Sequence, residues 1–138
     1  MILTDGVAPE LLEPPVNTLR VSLHPGGLAP RIGNFAEYSA HLLHRIDRSA
    51  VMTADPDLTA LADELRGYPG VIERSAPPDA ATVLFVPLIL RSGDQKLAFF
   101  STIATFGTAL DITAAELSIE SFFPADTETA AAMRAAWD

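Results

Sequence analysis

Glu37, His41 and His44 stand at i, i+4 and i+7, a spacing that sets one carboxylate and two imidazoles on a single helix face, where they could ligate a divalent metal. His24 could supply a fourth ligand. The plainer reading is that Glu37 and His41 form an ordinary i, i+4 pair beside the core stripe of Leu42, Leu43 and Ile46. No family metal motif surrounds them, so no metal is expected. Asp55 and Asp57 could act as paired carboxylates, yet both fall at a helix start, where the macrodipole favours acids without any functional demand. Ser22, Ser39, Ser101 and Ser118 have neither a histidine nor an acid in local context for acyl transfer. The chain also lacks a G-x-S-x-G elbow, a Walker loop and a dinucleotide-binding glycine run. Neither an enzyme nor a cofactor is expected.

The elements that must position these side chains can be read from caps and periodicity. Residues 1–16, with Pro9, Pro14 and Pro15, read as an extended lead-in or linker, and residues 17–138 as one domain. Asn17 is placed to cap a short helix that Pro25-Gly26-Gly27 stops, although Leu19, Val21 and Leu23 also alternate as a strand would. Phe35, Tyr38, Leu42, Leu43, Ile46 and Ala50 recur at three- and four-residue steps, which predicts a helix with Asn34 as its cap. Asp55-Pro56 starts a second helix, which Gly67 and Pro69 end.

After the polar stretch from Val71 to Ala81 the pattern becomes that of a sheet. Thr82 to Leu90 is apolar on both faces and contains Pro87, which predicts an edge strand covered on both sides. Ser92-Gly93-Asp94-Gln95 supplies a hairpin, and Lys96 to Thr105 returns antiparallel. Leu117, Ile119, Ser121 and Phe123 alternate as a third strand, against the alternative of a capping box at Thr113 to Glu116. Asp126 or Thr127 then caps a last, Ala-rich helix.

Composition narrows the possible partners. The 138 residues carry nine Lys+Arg against 18 Asp+Glu, a formal net charge of −9, which repels nucleic acid and anionic membranes. There is no cysteine, hence no disulfide framework and no thiolate site. The first residues lack a signal-peptide pattern, and Val83 to Leu90 is far too short to span a bilayer, so a cytoplasmic protein is expected.

Several separated strings then acquire a joint meaning. Pro14-Pro15-Val16-Asn17, Ser22-Leu23-His24-Pro25, Gly27-Leu28-Ala29-Pro30-Arg31-Ile32 and Tyr68-Pro69-Gly70 are followed by Val86-Pro87-Leu88, Phe99-Phe100-Ser101-Thr102, Thr105-Phe106-Gly107-Thr108 and Glu120-Ser121-Phe122-Phe123-Pro124-Ala125-Asp126. In this order, from about Glu10 to the end, they resemble the C-terminal ligand-binding domain of MmyB-like regulators, the sensor half of many helix-turn-helix repressors. The resemblance implies an α+β, PAS-like fold, with helices on an antiparallel sheet around a small apolar pocket that takes fatty-acid-like ligands. It also implies that the DNA-binding half and the first strands of the family fold are missing, that the strand at 117–123 is an exposed edge, and that this edge supports a homodimer.

On that footing the expected pocket lies between the helices at 35–66 and the strands at 82–123. Phe35, Tyr38, Leu42, Phe85, Phe99, Ile103 and Phe122 would line it, with Arg20 or Arg31 pairing a ligand carboxylate. Plain core packing explains the same aromatic residues, and ordinary salt bridges the same arginines. The reading of another class is a ligand-free dimerisation module. Direct DNA binding is not expected, because the basic residues are scattered and outnumbered two to one.

Overall fold

The computed structural model describes residues 4–72, 86–105 and 118–137. Helix α1 (Thr18–Leu23) starts where Asn17 accepts hydrogen bonds from the Leu19 and Arg20 amides, each at 3.1 Å. This resolves the helix-or-strand ambiguity, because the cap satisfies two of the amides that a helix start leaves open. The turn after α1 brings Gly27 so close to the preceding backbone that a β-carbon there would lie 2.1 Å from the Val21 carbonyl oxygen. That oxygen accepts the Leu28 amide at 2.8 Å, which fixes the reversal.

Helix α2 (Phe35–Thr53) buries Tyr38, Ser39, Leu42, Leu43 and Ile46 on one stripe and ends at Ala54, whose φ of 53° is left-handed. Helix α3 (Pro56–Arg66) begins as the sequence suggests, with the Asp55 carboxylate accepting the Asp57 amide at 2.8 Å and Pro56 in the first turn. It packs on α2 through Ala62 and Leu65, and Arg66 ties the two helices by an ion pair to Asp47 at 2.6 Å.

Strands β1 (Leu88–Ser92), β2 (Gln95–Thr105) and β3 (Ser118–Pro124) form an antiparallel sheet in the order β1-β2-β3. Gly93, with φ of 58°, is the first central residue of the β1–β2 hairpin and adopts the backbone that such a two-residue turn requires. Leu88 pairs with Phe99 and Leu90 with Leu97, and these four side chains face α2 and α3 in a single core with Leu23, Ile32, Tyr38, Leu42 and Ile46. Side-chain alternation therefore assigns Ser101 and Ile103 to the same face, together with their partners Phe122 and Glu120 on β3. The opposite face carries Phe100 stacked on Phe123, with ring centroids 5.4 Å apart.

Helix α4 (Thr127–Trp137) follows β3 directly. Where β3 leaves the sheet, the Ala125 amide bonds the Ala98 carbonyl at 2.8 Å, and the Ala98 amide donates to the buried Thr129 hydroxyl at 2.9 Å. Four α-helices packed with a three-stranded antiparallel sheet make this an α+β fold among the described residues. No helix in this set is long and apolar enough to cross a membrane.

Three local expectations change. Among the described residues the first strand starts at Leu88, with Val86 and Pro87 outside it and positions 82–85 of the expected strand not described, and it is covered mainly on one side, since Leu88 and Leu90 are buried while Arg91 is exposed. Asn34 holds the N-cap position of α2, its carbonyl accepting the Tyr38 amide, but its side chain caps no helix amide because it is engaged by the backbone at Pro87 and Ile89. The lead-in contains a 3-10 turn at Pro9–Leu12 and a buried Val7, so it is not wholly extended. Phe85, Phe106, the Thr113–Glu116 box and Leu117 lie outside the described residues.

Candidate functional site

One flank of helix α2 is tied to β3. The tie is between Arg45 and Glu120: Nη1 donates to Oε1 at 3.1 Å, with both side chains about one-third exposed. One and two turns toward the N-terminus on the same flank lie His41 and Tyr38, at the i−4 and i−7 positions that bring side chains into line. Tyr38 is only 6% exposed, and burial, reinforced by the Glu120 charge, pushes its hydroxyl pKa up to about 12. His41 is half-buried, and its pKa is held below the usual imidazole value by burial and by the neighbouring Arg45 and His44, against a smaller opposing pull from Glu120 and Glu37. A neutral imidazole, a protonated phenol and a guanidinium therefore share this flank near neutral pH.

The residues expected to line a pocket divide into two sets. Tyr38, Leu42 and Phe99 are buried in one continuous core, and Phe35 packs on it from the side, its ring held against Gly70. Ile103 and Phe122 occupy the same sheet face farther along β2 and β3, where they are 46% and 49% exposed. The structure thus joins the two sets along one strip, closed by close packing at the Phe99 end and open at the Ile103 end.

Neither expected arginine lies along this strip. Arg20 donates through Nε to Glu64 at 2.7 Å, and Tyr68 donates to the same carboxylate at 2.9 Å. The hydrogen bond from Arg20 holds the Glu64 carboxyl below its usual range, and the same bond raises the Arg20 pKa. Arg31 donates to the carbonyls of Arg91 and Asp5 at 3.1 and 3.0 Å, at the hairpin end of the sheet. Open grooves of about 280 and 440 Å³ lie at that end, lined by Asn34, Arg91 and Lys96 and by Asp5, Arg31 and Ser92 respectively, away from the aromatic strip.

Glu37, His41 and His44 follow α2 as the spacing requires, whereas His24 turns elsewhere: its Nδ1 accepts the Gly26 amide at 2.9 Å and its ring meets Tyr68 edge-on at 5.1 Å. Among the described residues no group of three His, Asp or Glu side chains gathers to hold a metal ion. Sequence reasoning missed Arg45. Its spacing from His41 and Tyr38 was visible, but its partner lies 75 positions away.

A buried aromatic floor that opens into a half-exposed apolar strip, flanked by the Arg45–Glu120 ion pair and uncharged polar groups, can hold an amphiphilic small molecule; among the described residues it contains no aligned nucleophile and base. Residues 2–136 match the family model for the MmyB-like transcription regulator ligand binding domain. Comparison with curated proteins and with solved structures gives no match.

Proposed function

The chain belongs to the MmyB-like transcription regulator ligand-binding domain family, and we propose that it is the non-catalytic, small-molecule-sensing part of such a regulator. The family match over nearly the whole chain carries this reading. The ligand class that suits the strip from Phe99 to Ile103 and Phe122 is a small apolar, fatty-acid-like molecule, enclosed in the manner of a PAS-like sensor. Phe35, Tyr38, Leu42, Phe85, Phe99, Ile103 and Phe122 are the proposed lining. At a net charge of −9 the chain itself leaves DNA contact to other protein segments and acts in the cytoplasm, without membrane attachment. Native mass spectrometry of the purified chain tests the reading: a reproducible small adduct that is lost on denaturation is expected, and its absence from independent preparations would overturn it.

A second reading, as a dimerisation module without a ligand, is favoured by one observation. Among the described residues β3 is an edge of the sheet, and six of its seven residues are exposed, Ile119, Phe122 and Phe123 among them. Light scattering at low concentration separates the two readings. A dimer with no adduct supports the module, and a clean monomer removes it.

A further inference from the structure

The flank of α2 over β3 holds more hydrogen-bonding capacity than the fold uses. A guanidinium has five N–H donors, and among the described residues Arg45 spends one, on Glu120. The Tyr38 hydroxyl makes no hydrogen bond among these residues, and neither ring nitrogen of His41 has a partner there. No fully buried side-chain nitrogen or oxygen in the described set lacks a partner, so the hydroxyl of the otherwise buried Tyr38 must keep some access to solvent. Tyr38 stands two turns before Arg45 on the same flank of α2, the flank tied to β3 by the Arg45–Glu120 ion pair. Ile103 is the register partner of Glu120, and Phe122 stands two residues along the same face, so a half-exposed apolar surface adjoins the unused donors.

We propose that Arg45, assisted by the Tyr38 hydroxyl, is the anchor for the carboxylate of a straight-chain monocarboxylic acid whose tail lies over Ile103 and Phe122, and that Glu120 occupies the anchor until the ligand displaces it. This rests on the ligand-sensing reading above and adds the polar end of the ligand and the residue that receives it. A guanidinium matches a carboxylate with two parallel N–H donors, a better arrangement than the single 3.1 Å bond to Glu120. The displaced Glu120 remains close by and is exposed enough to be solvated, which admits one negative charge and disfavours a second. Arg20 and Arg31 are less suited. The first is held by a 2.7 Å bond to Glu64, and the second lies at the opposite end of the sheet.

The test is calorimetric titration of the full chain with dodecanoate and, as the uncharged probe of equal chain length, dodecanol. Arg45→Gln should weaken dodecanoate binding about tenfold or more and leave dodecanol unchanged. Glu120→Gln should do the reverse and tighten dodecanoate several-fold, because it removes the competing carboxylate. A merely structural ion pair would not give opposite signs for its two halves. Thermal melts control for folding, and if Arg45→Gln does not fold, Arg45→Lys should retain the charge, lose the fork and give an intermediate loss. Dodecanoate binding that ignores all three substitutions would overturn the anchor and leave the sensing function standing. No binding of either probe to the unmodified chain would overturn the anchor together with the long-chain ligand class, while the native-mass result would still decide whether the domain holds a ligand of another kind.

Discussion

Asn34 pairs with β1 as though its side chain were a short strand, its Oδ1 accepting the Ile89 amide at 3.2 Å. Its Nδ2 donates to the Pro87 carbonyl at 2.7 Å, and the Gly33 amide adds a bond to the Ile89 carbonyl at 2.7 Å. The segment before α2 is thereby laced to the outer edge of β1, where Ile32 also bridges Leu90. Asn34→Ala leaves the Ile89 amide without its partner, and a loss of about 1–3 kcal/mol is expected in urea unfolding. An unchanged midpoint would show that solvent replaces the side chain.

Gly27 and Gly26 are neighbours with different requirements. A β-carbon at Gly27 collides with the Val21 carbonyl at 2.1 Å, and backbone cannot yield as a side chain does, so Gly27→Ala should cost about 3 kcal/mol. At Gly26 the nearest atoms are side-chain atoms of His24 and Ala8, at 3.2 and 3.3 Å. Thermal melts of the two variants should therefore separate clearly, with Gly26→Ala the milder.

Stability should fall as the solution is acidified from pH 7 toward pH 5, and His41 should account for part of the fall. Burial first, then Arg45 and His44, lower its pKa in the folded chain, so between that lowered value and the usual one near 6.5 the unfolded chain binds the extra proton. Glu64, whose folded pKa is also lowered, stabilises above the ordinary carboxylate range and loses that contribution only in stronger acid. His41→Gln should accordingly flatten the profile between pH 7 and 5, as read by urea midpoints at each pH; a profile of unchanged slope would remove His41 from the account.

Arg20 provides the matching control for ligand binding. Its pair with Glu64 is more than two-fifths exposed on both sides, a setting in which solvent screening leaves such contacts worth up to about 1 kcal/mol. Arg20→Ala should lower the unfolding free energy by no more than that and leave dodecanoate affinity unchanged. A large loss of affinity would move the carboxylate anchor to α1.

How far the sequence disclosed this architecture depends on how local each determinant is. Asn17 and Asp55-Pro56 announce their helices because a cap and the amides it satisfies lie within three residues. Asn34 looks identical by that criterion, yet its amide is engaged 53 and 55 positions away, and nothing in its neighbours signals this. The apolar run before Leu90 suggested a longer strand with two covered faces, but periodicity cannot say where pairing begins, and among the described residues pairing starts after Pro87, whose nitrogen has no hydrogen to donate. Tyr38, Leu42 and Phe99 were legible as one apolar group because hydrophobic period and element type agree. Arg45 was not legible as a site residue, since the carboxylate that defines its position belongs to a strand at the other end of the chain.

The handover from β3 to α4 has a mechanical consequence. Ala98 is held on one side by the Ala125 amide and the Thr129 hydroxyl, and Thr129 is itself fixed by the Asp126 carboxylate at 2.7 Å. A pull applied near Trp137 would load these bonds before any in the β2–β3 ladder. Once they part, the ladder would open one rung at a time from Pro124 toward Ser118. Peeling of this kind needs little force, because the bonds break in sequence instead of together. Tension on α4 would reach Phe122 before Glu120, releasing the apolar strip while Arg45 still held its partner.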